Sequence, residues 1–319
     1  MKPGADPAKA VKAALLANAG IAVAKLVAAL LSGSATMLAE GVHSIADTAN
    51  QSLLLLGMRL SSKRATALHP FGRDSESYFW AFIVSLLLFF LGGVFAIYEG
   101  VHKLLANDDH QGSLVAPLAV LGISILLEAG SFVVALGEFN KSRGERPFFT
   151  ALFAGKDPVI PLVLLEDSGA VLGLVIAFAS ILMTALTGRA AIDGIGSILI
   201  GVLLCTIGLF LARDTRSLLI GEGIDDETRA GVLKAANQAP GVQAVTQLLS
   251  LHLGPASILL ALKVRFAEGS TLSDVERIID DIEERIRAAE PRMKRIFIEP
   301  DGDYDAARDP DAVGPPLTT

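Results

Sequence analysis

His43 and Asp47 stand four residues apart in a stretch that otherwise reads as a membrane-spanning helix. At 3.6 residues per turn they share one helix face, near enough for an imidazole nitrogen and a carboxylate oxygen to hold one ion together. Such a pair supplies half of a zinc-like ligand set. An ionisable group at the bilayer centre costs roughly 2.5–3.5 kcal/mol, so residues of this kind usually survive where they line a path for an ion or substrate.

The elements that must position the pair are apolar and long. The 319 residues are 52% hydrophobic and only 19% charged, with a mean hydropathy of +0.53, which is too apolar for an ordinary soluble chain of this length. Six segments predict transmembrane helices: about 11–32, 36–60, 78–101, 114–138, 159–187 and 191–212. Each is long enough to cross about 30 Å of hydrocarbon at 1.5 Å per residue. The N-terminal MKPGADPAKAVK does not read as a cleavable leader, so the first run is expected to be a retained span.

Basic residues choose the orientation. Lys2, Lys9 and Lys12 precede the first span, and Arg59, Lys63, Arg64 and Arg73 follow the second. Lys141, Arg143, Arg146 and Lys156 lie between the fourth and fifth, and Arg213 and Arg216 follow the sixth. All fall on one side, while the opposite loops hold little more than Lys103 and Arg189. The positive-inside rule then places both termini in the cytoplasm, or on the matrix side of an organelle. In a bacterium the membrane would be the inner one. A net charge of -7 argues against nucleic acid as a partner, and the single cysteine, Cys205, excludes a disulfide framework and reads as packing.

Beyond Arg213 the hydropathy collapses. Residues 225–239 predict a helix, 242–252 and 258–266 alternate as strands around a Gly254-Pro255 turn, 272–289 is a charged amphipathic helix and 295–298 a short strand. The expected architecture is therefore an α-helical membrane protein of six transmembrane helices followed by a small cytoplasmic α+β (αββαβ) domain. Its parts are a transport domain over 1–213, a cytoplasmic dimerisation or regulatory domain over 214–300 and a disordered tail over 301–319. About eighty residues is small for an independent core, so pairing with a second copy is expected to stabilise the cytoplasmic part.

The motifs AEGVHSIADTANQ, HPFGRDSESY, IYEG and DPVIPLVLLEDSGAVLG, the last followed by LTGRAAIDGIGS, give the chain a resemblance to the cation diffusion facilitator family. It is similar to the branch containing the mitochondrial zinc exporter. The resemblance covers nearly the whole chain and implies a homodimeric, proton-coupled exporter of divalent metals with its site on spans two and five. His43 and Asp47 fall on the family's span-two motif, and Asp167 on the last Asp of the span-five motif. The family's other span-five ligand falls on Val163, which cannot bind metal. Asn50, on the face of His43 and Asp47, and Glu166 compete for the fourth place. Glu166 and Asp167 lie about 100° apart around a helix, so both face one ion only if the helix distorts.

Other polar residues have plainer readings. Glu40, Glu99, Glu128 and Glu138 lie near span ends or in polar neighbourhoods and are expected to pair with basic residues or water, and Lys25 to snorkel or pair with one of these acids. His69 and His102 read as interfacial, Asp108, Asp109 and His110 as a polar outer loop, and His252 as a candidate regulatory ligand.

Metal requires Asp47 and Asp167 ionised and His43 neutral, whereas an empty site of low dielectric favours protons, so metal and protons compete. Alternating exposure of the site couples cation export to proton entry. A nitrogen with two or more oxygens favours zinc as the transported ion, with cobalt, manganese and iron as further candidates, and no resident cofactor is expected. The partners are then the cation, protons, the lipid bilayer and a second copy. The alternative is a non-transporting membrane scaffold or metal sensor working through the cytoplasmic domain. An intramembrane metalloenzyme has no HExxH signature to support it.

Overall fold

The computed structural model describes residues 6–32, 35–106, 115–189 and 191–302. Long apolar runs fold as helices because lipid offers no partner for a free peptide group. The helices are α1 (Pro7–Ser32), α2 (Ala35–Ser61), α3 (Glu76–Leu87), α4 (Phe95–Ala106), α5 (Val115–Arg143), α6 (Phe148–Ala154), α7 (Val159–Thr187) and α8 (Ala191–Ile220). A π-helical segment, Leu88–Val94, joins α3 to α4, so that Glu76–Leu105 forms one continuous apolar stretch.

Among the described residues five helices are long and apolar enough to cross a membrane: Pro7–Leu30, Glu76–Leu105, Leu118–Arg143, Val159–Thr187 and Ala191–Ile220. The segment expected as a sixth, 36–60, is the 27-residue α2, long enough but not apolar enough to join that set. Asp47, Thr48, Asn50, Gln51 and Ser52 dilute its hydropathy. The short α6 was not anticipated. Gly188 ends α7 in the left-handed region (φ 69°), which a side chain would resist.

The chain divides into two compact units. The first holds 1–64 and 76–216, with α1 packed on α2 and α5, and α5 on α7. Its apolar core includes Val11, Leu54, Val84, Phe139, Leu162 and Leu211. Along α4 and α8 the packing is of another kind. Gly93 and Gly100 meet Gly201 and Gly194 so closely that a Cβ on Gly201 would lie 2.7 Å from the Gly93 carbonyl oxygen. A Cβ on Gly100 would lie 2.7 Å from that of Gly194. Small residues let helix backbones approach in lipid, where no hydrophobic driving force brings helices together. Lys103 closes this seam with ion pairs to Glu99 at 3.2 Å and Asp193 at 3.1 Å.

The second unit holds 217–319 together with the loop 65–75. Helix α9 (Asp226–Asn237) starts at Asp225, whose side chain accepts from the Thr228 amide. Strand β1 (Val242–Gly254) pairs antiparallel with β2 (Ser257–Phe266), which pairs parallel with β3 (Met293–Pro300) across α10 (Leu272–Ala289). Alternation puts Ile258, Leu260, Leu262 and Val264 of the central strand against Ile278, Ile282 and Ile286 of α10. A reciprocal capping box between Thr271 and Asp274 starts α10. The expected αββαβ order and its strand turn are thus present. Within this unit the Ser75 hydroxyl donates to the Leu253 carbonyl oxygen at 2.7 Å. Buried His252 has Nδ1 3.1 Å from the Glu222 carbonyl oxygen. The expected tail beyond Gly302 and the loop of Asp108, Asp109 and His110 lie outside the described residues.

Candidate metal transport site

Helix α7 carries its two carboxylates at one level but aims them at different neighbours. Glu166 and Asp167 are 6% and 1% exposed. Glu166 accepts from Gln51 Nε2 of α2 at 2.8 Å, whereas Asp167 accepts from the Ser131 hydroxyl of α5 at 2.6 Å. This is the 100° step between adjacent helical residues realised as two different helix contacts. A hydrogen bond is stronger in a medium of low dielectric than in water, and each of these bonds ties α7 to one partner.

Asp47 lies in the same electrostatic neighbourhood, its charge acting on both Glu128 and Glu166. Asn50 and Gln51 are buried on α2. The backbone of His43 belongs to α2, but its side chain lies outside the described residues, as does that of Glu40. Val163, where a span-five donor would stand, is fully buried. Among the described residues, no three His, Cys, Asp or Glu side chains come together closely enough to hold a metal ion.

Two contributions went unread in the sequence. Gln51, not Asn50, makes the bond from α2 to Glu166. Helix α5 buries a polar stripe of Ser124, Glu128 and Ser131, and the charges of Asp167, Asp47 and Lys25 act on Glu128, in the polar neighbourhood beside a basic residue that was expected for it. The spacing i, i+4, i+7 of that stripe was visible and marks one helix face. Lys25 is buried on the inner stripe of α1 with Val11, Ala14, Asn18 and Ile21 and its charge acts on Glu128, which agrees with the second of its two expected readings. The other acids follow expectation: Glu138 pairs with Lys141 at 2.8 Å and Lys9 at 3.4 Å, and Glu99 with Lys103. Cys205 packs against Gly93.

The cation efflux transmembrane domain family matches residues 11–220, and the cytoplasmic domain family of cation efflux proteins matches residues 224–302. The chain is 35% identical to metal tolerance protein C4 of Arabidopsis thaliana over 237 residues, covering 74% of this chain and 52% of that one. It is 29% identical to the mitochondrial proton-coupled zinc antiporter SLC30A9 of Homo sapiens over 287 residues, 87% and 50% of the two chains. With magnetosome protein MamB of Paramagnetospirillum magneticum the identity is 24% over 278 residues, 86% and 88%. The chain spans about half the length of the first two relatives.

Proposed function

The chain belongs to the cation diffusion facilitator family, a family of multi-pass membrane transporters rather than enzymes, and from that premise we propose that it exports zinc in exchange for protons. The observation that carries the reading is the burial of Glu166 and Asp167 side by side in an apolar helix, bonded to α2 and α5. His43, Asp47 and Asp167 bind the cation, with Asn50 and Glu166 as the candidates to complete its shell. The relatives named as proton-coupled zinc antiporters support zinc over cobalt, manganese or iron.

In this reading α2 is a sixth span whose polar side chains are covered by α1 and α7, and both termini are cytoplasmic as the basic loops require. With no cation bound, Gln51 and Ser131 hold the α7 carboxylates. The ion replaces those donors, and a change in which helices hold α7 exposes the site to the other side. The protein works as a homodimer. Leu249, Leu251 and Phe297 lie exposed on the sheet, and Leu249 and Phe297 both flank Ala261 in register, forming an apolar face suited to a second copy.

The test is the full chain reconstituted in vesicles with internal zinc and pH dyes. Zinc movement opposed by proton movement is the expected result, and Asp167→Ala should abolish it. Zinc movement without a pH change would overturn the coupling. Zinc binding with no flux would favour the sensor reading.

A further inference from the structure

Glu128 is the one acid of the cluster that lies on neither α2 nor α7. It sits between Ser124 and Ser131 on the buried stripe of α5, and these three are 0–4% exposed. Ser131 fixes the direction of that stripe, since its hydroxyl reaches Asp167 at 2.6 Å. One turn away on the same face, Glu128 is within electrostatic range of Asp167, Asp47 and Lys25. Among the described residues its Oε2 is buried with no hydrogen-bond partner, as is Gln51 Oε1, whose own amide nitrogen is spent on Glu166. Native proteins pair nearly all buried polar atoms, so two open acceptors beside buried carboxylates call for a donor or a cation. Metal ions accept such oxygens directly.

We infer that Glu128 is a ligand of the transported cation, supplying from α5 the donor that α7 lacks at Val163. The inference rests on the zinc-export reading. Lys25, buried on the facing stripe of α1, then acts as a resident counter-charge that the arriving cation competes with. A plain structural ion pair between α1 and α5 makes a different forecast, because it binds no zinc and loses only stability when either partner is removed.

Isothermal titration of the full chain in detergent with zinc separates the two. Glu128→Gln should weaken zinc affinity by at least about tenfold, Glu128→Asp should restore part of it, and Lys25→Met should strengthen it. Melting curves establish that each variant is folded, and if Glu128→Gln is not, Glu128→Ala takes its place. Wild-type affinity in folded Glu128→Gln or Glu128→Ala, or weaker affinity in Lys25→Met, overturns the proposal. If Asp167→Asn abolishes binding while Glu128→Gln does not, this inference fails and the zinc site on α2 and α7 stands. If the wild type binds no zinc, both fail.

Discussion

Helices α4 and α8 meet along glycines, whereas α2, α5 and α7 meet along carboxylates, an amide and hydroxyls. In the glycine seam, contact is backbone to backbone, and a single added Cβ would collide with a carbonyl oxygen on the opposite helix. That packing has one arrangement and no exchangeable partner. The polar contacts of α7 are the reverse, because a carboxylate released from Gln51 or Ser131 can take a cation in its place. Close packing thus gives rigidity to one pair of helices, and replaceable hydrogen bonds give the other group its capacity to bind and rearrange.

The sharpest way to break that contrast is to exchange the consequences of substitution. Asp47→Ala and Asp167→Ala are expected to reduce zinc flux in vesicles by at least about 100-fold (about 2.7 kcal/mol) while leaving the melting curve nearly unchanged. Glu166→Ala should do less, since Glu166 is only a candidate to complete the shell that Asp47 and Asp167 form. Normal flux in Asp167→Ala with loss in Glu166→Ala would shift the ligand by one residue.

Gly201→Leu should act the other way, with a loss of folded protein worth at least about 1–3 kcal/mol from overpacking, read as a lower melting temperature in detergent. A well-folded Gly201→Leu protein that fails to transport would place function in the seam. Removal of residues from Ser217 onward touches neither contact. It should shift the detergent-solubilised protein toward monomer on light scattering yet leave zinc binding in competition with protons. Loss of all zinc binding in a folded truncated protein would move the principal site to the neighbourhood of His252.

His43→Asp sharpens the polar side of the comparison. Replacing nitrogen with a hard oxygen should raise manganese transport relative to zinc in competition assays, and an unchanged ratio would remove His43 from the shell. The smallest effect belongs outside both contacts. Hydrogen bonds from Arg292 hold the Glu290 carboxyl below its ordinary range. A folded value below the unfolded one stabilises at pH above about 4.3 and is lost as pH falls through the folded value. Glu290→Gln should therefore cost less than about 1 kcal/mol at neutral pH, with the difference from wild type closing in acid.

The helices were legible where composition alone decides them. The span 159–187 and the helix 272–289 fall where a long apolar run and isoleucines four apart (Ile278, Ile282 and Ile286) put them. Facing was harder. Adjacent Glu166 and Asp167 are equivalent until it is known that α2 passes on one side of α7 and α5 on the other. Glu128 was read singly, as an acid near a span end or in a polar neighbourhood, and only its stripe with Ser124 and Ser131 reveals a buried face. The seam was written in intervals of seven, Gly93 to Gly100 and Gly194 to Gly201 to Gly208, but spacing does not say which two stripes meet. The π segment, with Gly92 and Gly93 buried in it, was not anticipated from the sequence.

The bond from Ser75 to Leu253 spans 178 positions of chain. At ribosomal speeds of about 5–20 residues per second, roughly 10–35 s separate the synthesis of the two ends. During that interval α3 through α9 and most of β1 are made while the loop before them waits for a hairpin not yet complete. Completion of the second unit is therefore timed by the ribosome, and the segment 65–75 passes through a window in which a chaperone or a protease meets it undocked.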